Sequence, residues 1–566
     1  MMRNKFFLTT VLVLGLLNDA LSQWNFNTTI NTAVVTATNS QRNISISSDT
    51  KGGAILVWED RRNSNVSGEF DVYAQRINSD GYTKWLANGI AVCTDTNVQN
   101  SISSVEDGSG GVIITWDDYR NGNADIYAQK IDSNGVIQWA ANGIPVCNKP
   151  FSQKGTKLIS DGLGGAIIVW QDSIGGLLDI YAQRINNSGI AIWASGGVPI
   201  CNSPGKQIRP RIQPDKAGGA FIVWQDRRNG LDYDIYAQRM NSLGNPVWAT
   251  NGIAVCTANY TQSYPKLRTD GAGGIIVVWQ DKRTNIDNDI YAQRISATGA
   301  AKWQTNGVSV CSAFDNQEEA DMTNENITNG VIVTWTDHRS LISHNSDIFI
   351  QKIDTLGVAQ WQLDGIALTS SNYDQKNSNV VGDGKGGAIV IWQDSVPTSG
   401  WDVNSQKVNS NGIIQWQLNG IPVGNANYSQ TSPGSISDGA NGCIYAWEDN
   451  RNGFDNDIYV QHTAIATNTT TTVTAINQVP FNKPSFKLSP NPFSYSTVLT
   501  LQNNQSFNFE NAVLKFTNIT GKEVMLPYSS TADGYIISRG SFPSGIYFYT
   551  LFSEDNYFAG KLVITN

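Results

Sequence analysis

Four polar residue types recur through this 566-residue chain in a fixed order, and together they form a chemistry able to hold a sugar or anion. A tryptophan recurs as Trp58, Trp116, Trp170, Trp224, Trp279, Trp335, Trp392 and Trp447, each followed two residues on by an aspartate, Asp60 through Asp449. In six copies an arginine stands two residues further: Arg62, Arg120, Arg228, Arg283, Arg339 and Arg451. Glutamines recur upstream (Gln41, Gln99, Gln153, Gln207, Gln262, Gln317, Gln375, Gln430) and downstream (Gln75 through Gln461). Read as binding chemistry, these are eight equivalent sites, with Arg228 and Arg283 as ligand-binding candidates. Read as scaffold, Asp, Arg and Gln satisfy one another, because a buried polar group without a partner is costly.

An enzyme needs one asymmetric constellation, so catalytic candidates are sought where a copy departs from the pattern. Copies six and seven depart most. They carry Glu318, Glu319, Asp321, His338 and His344, together with Trp401, the one tryptophan outside both repeated series and a further ligand-binding candidate. Two carboxylates near an aromatic suit glycoside chemistry, which pairs an acid with a base or nucleophile. Against catalysis, His338 fills a slot that also takes Arg61, Tyr119, Ser173 and Lys282. Asn- and Asp-rich loops make Asp232, Asp234, Asp287, Asp289, Asp455 and Asp457 candidates for calcium, a cation that prefers carboxylate oxygens, and the same residues also cap turns. No other cofactor is implied, and function is expected in the loops where copies differ.

These residues sit on a unit of about 55 residues, the period of solenoids and propellers. A second tryptophan series (Trp24, Trp85, Trp139, Trp193, Trp248, Trp303, Trp361, Trp416) interleaves with the first. Short β-favouring runs between Gly, Asn and Asp turns predict a four-stranded antiparallel meander in each copy, with the fourth strand on the second tryptophan. The second strand is apolar almost throughout, as in Ile275-Ile276-Val277-Val278-Trp279, so both faces of each sheet require cover. A ring supplies that cover without exposed ends. The chain starts on a fourth strand and its repeats end after a third, so the N-terminal strand is expected to complete the last sheet. The expected fold is therefore all-β, an eight-bladed β-propeller over residues 23–463, with a seam like that of the WD-repeat proteins. Its repeated Trp, Arg and carboxamide side chains are similar to those of propeller lectins. Five cysteines (Cys93, Cys147, Cys201, Cys256, Cys311) share one slot and, with Cys443, read as buried thiols.

A net charge of −9 argues against a nucleic-acid surface. Residues 1–22 read as a secretory signal peptide, with Arg3 and Lys5 before the apolar run Phe6 to Leu17, and no later run is long enough to span a membrane. After a Thr/Asn/Pro linker (464–485), residues 486–566 predict a small β-sandwich. This segment carries Ser489-Pro490-Asn491-Pro492-Phe493, Thr520-Gly521-Lys522, Pro543-Ser544-Gly545-Ile546-Tyr547 and Gly560-Lys561-Leu562. In these motifs it resembles the type A C-terminal sorting domains of Bacteroidetes type IX secretion substrates, with Pro490, Asn491, Pro492, Gly521, Lys522, Gly545, Gly560 and Lys561 as the motif residues. The resemblance implies type IX machinery as a partner and a secreted or cell-surface location. Together these readings point to a binding or adhesion module for extracellular glycan or protein. The alternative is a polysaccharide-degrading hydrolase or lyase with its site in repeats six and seven.

Overall fold

A computed structural model describes residues 24–63, 69–339, 345–397, 399–463, 485–502, 512–518, 523–531, 533–553 and 556–565. The signal peptide, nearly all of the linker, His344, Gly521 and Lys522 lie outside the described residues. The chain divides into two compact units, Met1–Ile465 and Ala466–Asn566. Among the described residues every regular element is a strand except the short turn of 3-10 helix Ile174–Gly176. No helix among the described residues is long and apolar enough to cross a membrane.

The first unit contains eight four-stranded antiparallel sheets. Repeat two shows the pattern, with strands Gln99–Glu106, Val112–Asp118, Asp125–Ile131 and Ile144–Cys147. The hairpin between its first two strands is closed by Asp107, whose Oδ1 accepts from the backbone N–H of Ser109 and Gly111, both at 2.8 Å. The fourth strand begins five residues beyond Trp139, not on it. Its indole leaves the sheet to reach the next repeat, and the chain then turns sharply at Gly143. That glycine has φ +88°, and a Cβ there would lie 2.5 Å from the Trp116 ring, so glycine is required. The eighth sheet takes its outer strand from the N-terminus: Thr32–Val35 pairs with Asp457–His462.

Each sheet packs on the next through its own apolar core. Ile55 and Val57 of repeat one meet Val112, Ile114 and Trp116 of repeat two in one such core. Ile444 and Ala446 of repeat eight meet Ala54, Leu56 and Trp58 of repeat one in another, so the last sheet rests on the first. The first tryptophan series is fully buried, which explains the continuous apolar second strands. The second series ties consecutive sheets. Indole Nε1 donates to a turn carbonyl of the following repeat, from Trp24 to Ser79 at 2.7 Å and from Trp193 to Ser242 at 3.1 Å. All six cysteines are buried free thiols. Burial pushes Cys93 and Cys256 up to about 12, leaving them unreactive at neutral pH.

The second unit is two four-stranded sheets, one on each side of a core that includes Phe493, Leu499, Phe516, Tyr549 and Leu562.

Candidate functional site

The repeated Asp, Arg and downstream Gln consume one another and the backbone around them, whereas the upstream glutamine of each copy, Gln41 through Gln430, keeps a buried Oε1 without a hydrogen-bond partner. In repeat four, Asp226 is fully buried and its carboxylate accepts from Trp224 Nε1 at 2.8 Å, Arg228 Nε at 2.9 Å, Arg228 Nη2 at 2.6 Å and the Arg228 backbone N–H at 2.9 Å. Arg228 also donates to the Asn251 carbonyl at 2.8 Å and lies 3.7 Å over the Tyr236 ring. Arg283 repeats this arrangement on Asp281, Asn306 and Tyr291. Both arginines read as ligand candidates are thus committed through Nε and Nη2, with 23% and 22% of their side chains exposed. The downstream glutamines are engaged as well: Gln238 donates to the Ala249 carbonyl and accepts from the Trp248 backbone N–H.

The residue between Trp and Asp, which the recurrence of its neighbours obscured, has its own role. Glu59, Gln171, Gln225, Gln393 and Glu448 each accept a backbone N–H from the first strand of the next repeat, at Ser101, Arg209, Tyr264, Ser432 and Asn43. The donating residues all lie in left-handed backbone, at φ between 51° and 56°. Repeat six has Thr336 in that slot, too short to cross, and Glu319 substitutes: its Oε2 accepts from Thr336 Oγ1 and from the Asn377 backbone N–H, both at 3.1 Å. Glu318 turns the other way and accepts from Asn288 Nδ2 at 2.8 Å. The two catalytic candidates therefore serve different interfaces and do not converge on one bond. His338 is fixed by its backbone N–H on the Asn316 carbonyl. Trp401 is part-buried in the hairpin of repeat seven, with the Lys376 ammonium 4.4 Å over its ring.

Of the calcium candidates, Asp232 and Asp234 converge on the Asn229 amide, at 2.6 and 3.2 Å, and Asp455 and Asp457 converge on the Asn452 amide. An amide donor stands where a cation would need oxygen. Among the described residues, no group of three or more His, Cys, Asp or Glu side chains is placed to hold a metal ion.

Burial, then Asp232 and Asp226, push Asp234 up to about 7, and Asp289 and Asp457 rise to about 7 for the corresponding reasons. Because these folded values exceed the unfolded carboxylate value of about 4, the protonated form stabilises the fold. That contribution is complete below about pH 4 and disappears as pH rises through about 7. The melting temperature of the wild type is expected to fall across this window more steeply than that of a D234N/D289N/D457N variant. Parallel curves would contradict the assignment.

The copies also differ in their first strands, beyond the loops in which differences are expected. Strands Gln153–Ser160, Gln207–Pro214 and Gln262–Thr269 carry Lys154, Lys157, Arg209, Arg211, Lys266 and Arg268 and no acid. The next first strand, Gln317–Asn324, carries Glu318, Glu319 and Asp321. Lys157, Arg211, Lys266 and Asp321 share one register position, opposite Val169, Val223, Val278 and Thr334. The other copies hold Ser45, Ser103, Asn379 and Gly434 there. Asp321 takes Lys266 Nζ at 3.2 Å and Asn379 Nδ2 at 2.7 Å. Burial raises its pKa, but Lys266 and Arg268 hold it below the usual carboxylate value. Burial, reinforced by Arg211 and Lys266, brings Lys157 down to about 8. Arg209 lies 4.4 Å over the ring of Tyr264, and both are exposed. Stacking the eight first strands in register displays this cluster, whereas ranking residues by recurrence conceals it.

No protein-family model and no curated protein matches this chain. Among solved structures, the polysaccharide lyase Uly1 is 10% identical, with 69% of this chain and 93% of that one covered and a TM-score of 0.41. An endo-arabinase from Bacteroides thetaiotaomicron VPI-5482 is 12% identical, with 46% and 92% covered and a TM-score of 0.27. A protein of unknown function from Dyadobacter fermentans DSM 18053 is 10% identical, with 66% and 96% covered and a TM-score of 0.35. Likeness at this level carries no argument about function.

Proposed function

We propose that this protein is an exported, closed eight-bladed β-propeller that binds extracellular glycan, delivered to the cell surface or beyond by a type IX sorting domain. The observation that carries the binding reading is the contrast within the repeats. The recurring Trp, Asp, Arg and downstream Gln are spent on the scaffold, while the inner strands of repeats three to five present unshared charged and aromatic side chains. Closure is supported by eight inter-sheet cores, the last joining repeat eight to repeat one, and by the N-terminal strand in the eighth sheet. A glycan and matrix-protein array probed with the mature protein tests the reading: retention on glycans is expected, and retention on proteins alone would overturn it.

The sorting assignment is supported by how the motif residues are used. Asn491 clamps the last strand, donating to the Lys561 carbonyl and accepting from the Val563 N–H, both at 2.8 Å. A Cβ at Gly560 would lie 2.5 Å from the Tyr549 hydroxyl. Truncation after His462 is expected to leave the protein inside the cell envelope, read by fractionation, and normal export of the truncated chain would contradict the assignment.

A second reading, polysaccharide cleavage, is favoured by one observation. The Lys157 amine, at about 8, is matched to taking a proton at mildly alkaline pH, unlike the diverging Glu318 and Glu319. Shortening of a polysaccharide on prolonged incubation would establish it.

A further inference from the structure

We infer that the inner face of repeats three to five is a site for an acidic polysaccharide, with Lys157 and Arg211 as the ligands of its carboxylate or sulfate groups. This rests on the glycan-binding reading and specifies the charge of the glycan. In a chain of net charge −9, six cations on three consecutive strands with no acid among them are a local inversion. Charges on strands that are not neighbours act on one another: Lys157 of repeat three is influenced by Lys266 of repeat five, and Arg211 of repeat four by Asp321 of repeat six. Lys157, Arg211 and Lys266 also share one register position, so they extend from the same face of consecutive first strands.

The cations are not equally committed. Lys266 is paired with Asp321, and Arg268 donates to the Leu267 carbonyl beside it. Arg211 donates only one Nη1 hydrogen bond, to the Pro210 carbonyl, and the Lys157 ammonium has no hydrogen bond or ion pair among the described residues. Asp117 faces Lys157 and Asp321 pairs with Lys266, which leaves the cations in excess; like charges held together in excess are unfavourable, and a bound anion relieves them. Arginine presents a planar fork that matches carboxylate or sulfate oxygens, while lysine supplies a point charge. The exposed Arg209–Tyr264 stack offers an adjacent face for a sugar ring. Asp321, held by Lys266 and by Asn379 of repeat seven, marks the edge of the cluster at which the positive charge ends.

The site should also depend on pH. Lys157 is faced by Arg211, Lys266 and Asp117; burial brings Lys157 down to about 8 and pushes Asp117 up to about 6, so the two titrate in separate ranges. Binding of an anion requires the ammonium, so affinity falls as pH rises through about 8.

The test uses the mature full chain with polygalacturonate (carboxylate), dextran sulfate (sulfate), neutral dextran and single-stranded DNA as probes, with affinities read by calorimetry. One or both acidic glycans are expected to bind, and dextran is not. A K157Q/R211Q variant should lose affinity about tenfold or more, as should the wild type at about pH 9.5. A K51Q/K385Q variant, with the same charge change on exposed lysines, should keep it. Equal loss in both variants, or tighter binding of DNA than of either glycan, would overturn the inference. Binding of neutral glycans unaffected by K157Q/R211Q would overturn it while leaving the glycan reading intact. If no glycan binds, the glycan reading fails. In that case, a higher melting temperature in sodium sulfate, for wild type but not K157Q/R211Q, would still support an anion site. All variants must melt within a few degrees of wild type.

Discussion

A mature chain begun at Gln41, lacking the N-terminal strand, is expected to lose cooperative unfolding of the first unit altogether. The segment removed contributes the outer strand of the eighth sheet, buried Trp24, Val34 and Val35, and hydrogen bonds to three parts of the molecule. Asn31 donates to the Val423 carbonyl at 2.8 Å, Gln461 donates to the Asn25 carbonyl at 2.6 Å, and the Arg451 guanidinium donates to the Ile30 carbonyl and Asn31 Oδ1. Burial of the three apolar side chains is worth about 1.5–3 kcal/mol each, and each lost hydrogen bond about 1 kcal/mol. The sum is of the order of a whole domain's stability, about 5–15 kcal/mol. Calorimetry checks this. A transition within a few degrees of wild type would show that the N-terminal strand does not hold the last sheet in place.

The second large effect is expected from Asp226→Ala. The substitution leaves the Arg228 guanidinium beside a buried gap and removes the acceptor of the Trp224 indole. Breaking a buried ion pair on one side costs about 3–5 kcal/mol. Repeat three provides the comparison, because Ile174 stands where the arginine would be, and Asp172 accepts from Trp170 Nε1 at 3.3 Å and the Ile174 backbone N–H at 3.1 Å with no guanidinium on it. Asp172→Ala should therefore cost less, about 1–3 kcal/mol. Urea titrations of both variants measure the difference. Equal losses would mean that the arginine adds nothing to the latch.

The architecture of the first unit was legible because its physics is periodic. An apolar second strand in every copy requires cover on both faces, and the phase of Trp24 against Gln461 located the seam. Placement of the fourth strand on Trp139 failed, since an aromatic in a β-favouring run reads as strand while its indole in fact bridges to the next sheet. The candidate site was harder to see. Recurrence marks residues that every copy needs, and that selects for scaffold: Asp226 and Arg228 recur because they satisfy each other. Lys157, Arg211 and Lys266 occupy a slot that holds serine, asparagine, glycine or aspartate elsewhere, so no motif announces them. Only the register of the first strands brings them onto one face. Glu319 misled for a related reason. It is an anomaly in sequence because Thr336 is one, and the pair restores a contact that other repeats make with a single longer side chain.

The measurement that tests the central claim most directly is the polygalacturonate affinity of two variants at a temperature where both are folded. Arg228→Ala lowers stability but removes only scaffold, and K157Q/R211Q alters only what the repeats do not share. The account predicts unchanged affinity in Arg228→Ala and about tenfold or greater loss in K157Q/R211Q. Loss of affinity in folded Arg228→Ala, with binding intact in K157Q/R211Q, would return function to the repeated residues and contradict it.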